Sequence, residues 1–157
     1  MQKLWTNRTS KTQLLIAAVQ MVLTLAPWVG DVLVVYCAEV TRLDNNKSEF
    51  YTGLTGGKFK DRYNQHQCDF RHEKNQNSTC LSKYVWSLKH EQIPYKIDWK
   101  ILCRGRIFSP VTRTCRLCLM EKYFISFHPE TATLNQRSEL YSTCRHRKGK
   151  LLEKFKP

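Results

Sequence analysis

Residues 50–66, which read FYTGLTGGKFKDRYNQH, predict a strand, a turn and the start of a helix. The aromatic and β-branched residues that open this stretch are typical of a strand, and Gly56-Gly57 is typical of a turn. After the turn, side chains recur at spacings of four, three and four residues, which is the period of one face of an α-helix. These side chains are Phe59, Tyr63, His66 and Phe70.

Two polar residues of this predicted helix, Arg62 and His66, are four positions apart, so their side chains lie one above the other. The strand before the helix carries Tyr51, which brings a phenol close to the guanidinium and the imidazole. A guanidinium binds phosphate oxygens as a fork, and imidazole and phenol groups can transfer a proton. The three side chains together indicate phosphate chemistry.

The neighbouring segments predict a mixed α/β (α+β) fold. Hydrophobic runs and alternations on both sides of the stretch give the order ββααβαα, a small three-stranded antiparallel sheet flanked by helices. The first two strands are expected to pair as a hairpin, and the third to present a basic outer face. The predicted elements are strands over 32–40, 49–54 and 95–101, helices over 58–72, 81–88, 117–125 and 134–141, and a loop over 104–113.

The composition changes near Asp31 and divides the chain into three parts. Residues 1–30 are an appended apolar segment, 31–143 form the domain, and 144–157 form a basic tail. In the first part, basic residues precede an apolar run over 14–25, which is the layout of a secretory signal. The run is too short to span a bilayer, so a membrane partner is not expected.

The compartment has two interpretations. Glycosylation sequons at Asn7, Asn46 and Asn77 fit export, with residues 1–26 as the signal. Ala26-Pro27-Trp28 is a poor cleavage site, however, and an odd number of cysteines, seven, excludes a fully paired disulfide scaffold. A nuclear or cytoplasmic location is therefore favoured, and the secretory pathway remains the alternative.

The charge of the chain indicates a polyanionic partner. Lys and Arg number 26 against 13 acidic residues, which gives a net charge of +13. Such an excess is typical of proteins that bind nucleic acid, or at least an anionic surface. The basic outer face of the third strand and the basic tail would hold phosphates without reading bases. A basic protein without such a partner is the alternative. Neither a small-molecule cofactor nor a particular oligomeric state is indicated.

Four residues near the C-terminus have partial metal-ligand spacing. Cys115 and Cys118 are separated by two residues, as in structural zinc sites, and Cys144 and His146 could complete the set. The single residue between Cys144 and His146 is short for a ligand pair. Two interpretations therefore remain, a structural zinc ion and free buried thiols, and the short spacing favours the thiols.

Several motifs, in their order along the chain, resemble the GIY-YIG endonucleases. Val34-Val35-Tyr36 stands for the first triplet and Tyr51-Thr52-Gly53 for the second; valine replaces the usual glycine, and Thr52 replaces an aliphatic residue. Further matches are Arg62 and His66 in the next helix, Glu121 in a later helix, and Asn135. The surrounding residues resemble the nuclease domain at the C-terminal end of Penelope-like retroelement reverse transcriptases.

This resemblance implies a metal-dependent DNA endonuclease. It implies that one Mg²⁺ or Mn²⁺ ion binds at Glu121, that Arg62 holds a phosphate oxygen, and that Tyr36 orients or deprotonates a water. Tyr51 would lie beside Tyr36, and His66 would assist proton transfer. Structural roles fall to Gly53 and Asn135. The alternatives are a catalytically decayed nucleic-acid-binding remnant and a secreted glycoprotein that contains cysteines.

Overall fold

The computed structural model describes residues 31–106, 108, 109, 111, 114–136, 144 and 146. The sequence predictions for residues 1–30 and for most of the basic tail lie outside this part of the chain. Among the described residues, no helix has the length and apolar character needed to cross a membrane.

The described chain forms five strands, three α-helices and two short 3-10 helices. The strands are β1 (Val32–Arg42), β2 (Ser48–Lys58), β3 (Tyr95–Arg104), β4 (Phe108–Ser109) and β5 (Thr114–Cys115). The α-helices are α1 (Phe59–Arg71), α2 (Cys80–His90) and α3 (Arg116–Phe127), and the 3-10 helices are Glu73–Asn75 and Pro129–Thr131.

The main sheet has three antiparallel strands in the order β2-β1-β3. The prediction of a mixed α+β fold with a three-stranded antiparallel sheet flanked by helices is therefore confirmed. The predicted hairpin is the pair β1 and β2, and β3 returns after two helices to pair with the other side of β1. The middle strand is consequently buried on both faces. Its continuous run of hydrophobic, largely β-branched residues is typical of such a strand.

Two helices pack on one face of the sheet and one helix packs on the other. Side chains alternate along a strand, so Tyr36 and Val35 of β1 point to opposite faces. The face of Tyr36 packs against α1 and α2 and is called the α1/α2 face below. The face of Val35 packs against Leu117 and Cys118 of α3 and is called the α3 face. The active-site candidates on α1 therefore lie on the α1/α2 face.

The predicted turn at Gly56-Gly57 is wrong, because β2 runs through both glycines and α1 begins immediately afterwards. The strand continues because a shift of register near the start of β1 lets Val32 pair with Lys58. The N–H of Phe59 then donates to the carbonyl oxygen of Asp31 at 2.7 Å. This bond satisfies the first N–H of the helix, for which Lys58 provides no side-chain cap.

Residues 133–135 cover the outer edge of β2. The N–H of Leu134 donates to the carbonyl of Phe50 at 2.8 Å. The side chain of Asn135 accepts a hydrogen bond from the N–H of Thr52 and donates one to its carbonyl, both at 2.8 Å. An edge strand otherwise presents unpaired backbone groups. Asn135 thus satisfies one donor and one acceptor of the edge strand.

Two predictions in the C-terminal third need correction. The predicted loop over 104–113 contains β4, which pairs with β5 in a small hairpin that ends at Cys115. The predicted helix over 134–141 is absent from its described part, 134–136, where Leu134 belongs to a turn and Leu134 and Asn135 bond to the edge of β2. The remainder of that predicted helix lies outside the described residues.

Candidate active site and metal-binding cluster

Three of the predicted site residues meet at one oxygen atom. Tyr36 comes from the middle strand, and Arg62 and His66 come from successive turns of α1. The Nε of Arg62 donates to the Tyr36 hydroxyl at 3.1 Å, and the same hydroxyl lies 2.8 Å from Nε2 of His66. The phenol oxygen is therefore held between a permanent cation and a proton acceptor.

The ring of Tyr36 occupies space that only a glycine leaves open. Gly53 of β2 is directly opposite Tyr36 in the strand pairing. A Cβ atom at position 53 would stand 2.6 Å from the Tyr36 hydroxyl and 3.0 Å from the ring of Tyr51. Any larger residue would displace both tyrosines. Gly53, the last residue of the second triplet, is thus needed for the ring of Tyr36 to take its position.

His66 is completely buried and electrically neutral. Burial first, and the charge of Arg62 second, lower its pKa to about 3. A neutral imidazole carries one N–H, so Nε2 can accept the proton of the Tyr36 hydroxyl while that oxygen accepts the N–H of Arg62. The other ring nitrogen, Nδ1, is buried and has no hydrogen-bond partner in the described structure.

The low pKa of His66 predicts a pH-dependent stability. The folded pKa lies below the unfolded value near 6.5, so the unfolded state binds the extra proton between these values, and stability falls as pH decreases. We expect His66 to lower the free energy of unfolding by about 2 kcal/mol between pH 6.5 and 4.5. Urea unfolding at both pH values tests this, with His66→Gln as the comparison. Equal pH dependence in the two proteins would contradict a buried neutral His66.

Arg62 forms the outward side of the group. Burial lowers the pKa of its guanidinium, but hydrogen bonds and electrostatic attraction from Tyr36 and Tyr51 outweigh burial and raise it. Its Nη1 donates to Gln65 Oε1 at 2.6 Å. Unlike Tyr36 and His66, Arg62 is only partly buried. Arg62 is therefore the member of the trio of Tyr36, Arg62 and His66 that a phosphate can approach directly.

Trp99 of β3 contacts the site, and the sequence analysis did not single it out. The rings of Trp99 and His66 have centroids 5.4 Å apart, and those of Trp99 and Tyr36 5.8 Å apart. Tyr63 packs on the same indole at 5.6 Å. The alternation of β3 places Trp99 on the α1/α2 face, and this was the one available signal of its position. Trp99 helps exclude water from the trio.

Glu121 lies on a different helix from the trio. It is buried on α3, one turn after Leu117 and Cys118, which pack on the α3 face of the sheet. Its carboxylate lies 3.7 Å from the Nζ of Lys122. A carboxylate buried to 3% exposure beside a cation can contribute one ligand to a metal ion.

Thr52 explains one departure from the family pattern. It is fully buried on the α3 face, and its hydroxyl donates to the carbonyl of Thr131 at 2.7 Å. An aliphatic residue would leave that carbonyl without this bond. The backbone of Thr52 is also bound by the side chain of Asn135, so both the side chain and the backbone of Thr52 are attached to residues 131–135.

Four residues form a cluster that could hold a metal ion. The ligand atoms of Cys115, Cys118, Cys144 and His146 all lie within 4.8 Å of one another. Nδ1 of His146 lies 3.3 Å from the sulfur of Cys115 and 3.4 Å from that of Cys118. The sulfurs of Cys118 and Cys144 are 3.7 Å apart. The set converges despite the short spacing of its second pair.

The cluster belongs to the core of the domain. Cys144, which the sequence analysis assigned to the basic tail, is buried with Val35, Leu54 and Leu117 on the α3 face. The small hairpin of β4 and β5 delivers Cys115, and the first turn of α3 carries Cys118. Burial raises the pKa of the Cys115 thiol, although hydrogen bonds from Cys118 oppose this.

Comparison of the chain with protein-family models, with curated proteins and with solved structures gives no match.

Proposed function

We propose that this chain is a metal-dependent endonuclease domain that hydrolyses phosphodiester bonds in DNA. One observation carries the proposal, namely the convergence of the Arg62 guanidinium and the His66 imidazole on the Tyr36 hydroxyl. The net charge of +13 supports a polyanionic substrate held through its backbone phosphates. The motif order of the GIY-YIG endonucleases supports the same reaction, and with it an origin in a retroelement and a nuclear or cytoplasmic location.

In this proposal, Arg62 binds the scissile phosphate and Tyr36 acts on the attacking water. Tyr36 is completely buried, so a water reaches its hydroxyl only after a rearrangement, which we assign to the partly buried guanidinium of Arg62. Binding of a phosphate oxygen draws Arg62 outward and uncovers the hydroxyl. Entry of the water and withdrawal of Arg62 relieve both causes that lower the pKa of His66, namely burial and the Arg62 charge, so Nε2 can then take the Tyr36 proton while Tyr36 accepts a proton from the water. Tyr51 lies beside them and helps retain Arg62.

Hydrolysis also needs charge stabilisation at the phosphate, for which we propose one Mg²⁺ or Mn²⁺ ion with Glu121 as its protein ligand. Mg²⁺ keeps several waters and takes one or two carboxylates, so a single acid is chemically sufficient. The argument for this ion comes from the family resemblance and from the burial of Glu121. The ion would neutralise charge that develops on the phosphate.

For the cysteine cluster we propose a structural Zn²⁺ ion. Three thiolates and one imidazole are a common zinc ligand set, and four protein ligands leave no position for a substrate. The compactness of the cluster supports this proposal over free thiols, because the four ligand atoms all lie within 4.8 Å of one another and are close enough to share one ion. The ion would take no part in hydrolysis.

Binding of nucleic acid without cleavage is the second candidate function. The complete burial of Tyr36 and His66 favours it, because neither group is open to a substrate in this conformation. Arg62 and the charge of the chain would then hold phosphates, as in a decayed nuclease.

A plasmid assay separates the two candidates. We expect the protein to nick supercoiled DNA in Mg²⁺ and to bind it without nicking when Mg²⁺ is omitted. Glu121→Gln should slow nicking at least about tenfold because it removes the proposed metal ligand. Glu130→Gln is the matched control, since Glu130 is an exposed acid just beyond α3. Binding without nicking in Mg²⁺ and in Mn²⁺ would overturn the endonuclease and leave the second candidate.

A further inference from the structure

The imidazole of His146 contacts two different parts of the domain. Its Nδ1 faces the sulfurs of Cys115 and Cys118. Its Nε2 lies 2.8 Å from the position that a Cβ atom on Gly56 would occupy. Nδ1 is therefore the candidate ligand atom, and the opposite edge of the ring rests on the backbone of β2.

Gly56 lies at the junction between β2 and α1. The helix begins three residues later at Phe59, and Arg62 lies on its first turn. The cysteine cluster contacts β2 at a second point through Leu54, which packs in the same core. The part of β2 from Leu54 to Gly56, which leads into the helix of Arg62, is thus in contact with the candidate metal ligands.

We propose that the metal ion fastens His146 and Cys144 to the end of β2, and that this attachment fixes the β2–α1 junction that positions Arg62. When the ion is bound, the imidazole is fixed by its Nδ1 bond and supports Gly56. When the ion is absent, the weaker contacts of Nδ1 with the sulfurs of Cys115 and Cys118 hold the imidazole, and the ring turns away more easily. The proposal depends on the proposed function only for its effect on phosphate binding, and both tests below are independent of cleavage.

Substitution of Gly56 tests the contact directly. In Gly56→Ala, the added methyl would meet the imidazole at 2.8 Å, so a fixed ring must move and the metal–Nδ1 bond is strained. We expect Zn²⁺ affinity, measured by competition with a chromophoric chelator, to fall at least about tenfold. Gly57→Ala is the matched control because its Cβ would meet no atom closer than Thr55 Oγ1 at 4.0 Å. The melting temperature of the metal-free protein should differ less between the two variants than that of the Zn²⁺-bound protein.

Equal Zn²⁺ affinity in Gly56→Ala and Gly57→Ala would overturn the proposal, as would the absence of stoichiometric Zn²⁺ binding by the unmodified chain. Hydrogen exchange supplies the second test. Removal of Zn²⁺ under reducing conditions should increase exchange at the amides of 55–62 at least about tenfold. Exchange in α2, which packs on the α1/α2 face and away from the cysteine cluster, should change less than about twofold. Loss of protection in both segments to the same extent would mean global unfolding and would contradict a local attachment.

Discussion

Replacement of Arg62 with alanine should lower the rate of plasmid nicking at least about hundredfold. Removal of a single donor that stabilises developing charge in a transition state typically has an effect of this size. Arg62→Lys should restore less than about a tenth of the lost rate, because lysine keeps the charge but has neither the fork nor the Nε–H that binds Tyr36. Nicking of supercoiled plasmid in Mg²⁺ measures both variants.

Arg71→Ala is the matched control for Arg62. Arg71 is an exposed residue in the last turn of the same helix, so its removal costs one positive charge outside the trio. The two alanine variants should lose DNA affinity to a similar extent and with similar salt dependence, because each loses one phosphate contact at most. Their nicking rates should differ greatly. If Arg62→Ala nicks as fast as Arg71→Ala, Arg62 does not act on the scissile phosphate.

Replacement of Tyr36 with phenylalanine should have the second largest effect. The variant keeps the ring but leaves the Nε–H of Arg62 and the Nε2 of His66 without their shared partner. We expect the free energy of unfolding to fall by about 1–3 kcal/mol, because buried polar groups lose their hydrogen bonds. Nicking should fall about hundredfold or more, since a proton-transfer group typically contributes this much.

Tyr95→Phe is the control that separates stability from chemistry. Tyr95 packs against the same core cluster, and burial raises its pKa to about 12. We expect Tyr95→Phe to nick at the unmodified rate at a temperature where both variants are folded. A Tyr36→Phe protein that loses stability but nicks normally would show that the hydroxyl only holds Arg62 and His66 in place.

The sequence predicted the local part of the candidate site. Arg62 and His66 are one helical turn apart, so periodicity alone placed them together. Their meeting with Tyr36 involves a strand about 30 residues away, for which only the family resemblance supplied an argument. Glu121 lies on α3, which packs on the face of the sheet opposite to α1, and this counts against a shared site. Whether Glu121 joins these residues around a phosphate stays a prediction.

Features that depend on distant contacts were beyond sequence reasoning. The pair Gly56-Gly57 was interpreted as a turn, but the room at Gly56 is used by the ring of His146, ninety positions later in the chain. The role of Asn135 likewise requires knowledge of which strand lies at the edge of the sheet. Helix periodicity at 134–141 competed with these edge bonds, and no local pattern indicates which of them is stronger.

The covering of β2 by residues 133–135 has a consequence for synthesis on the ribosome. The hydrogen bonds that Asn135 makes to Thr52 join residues 83 positions apart. A nascent chain that has exposed only the three main strands therefore has an unprotected edge, which can pair with other chains. We infer that the domain completes its folding only when its last quarter has left the exit tunnel, and that shortened translation products expose β2 to aggregation.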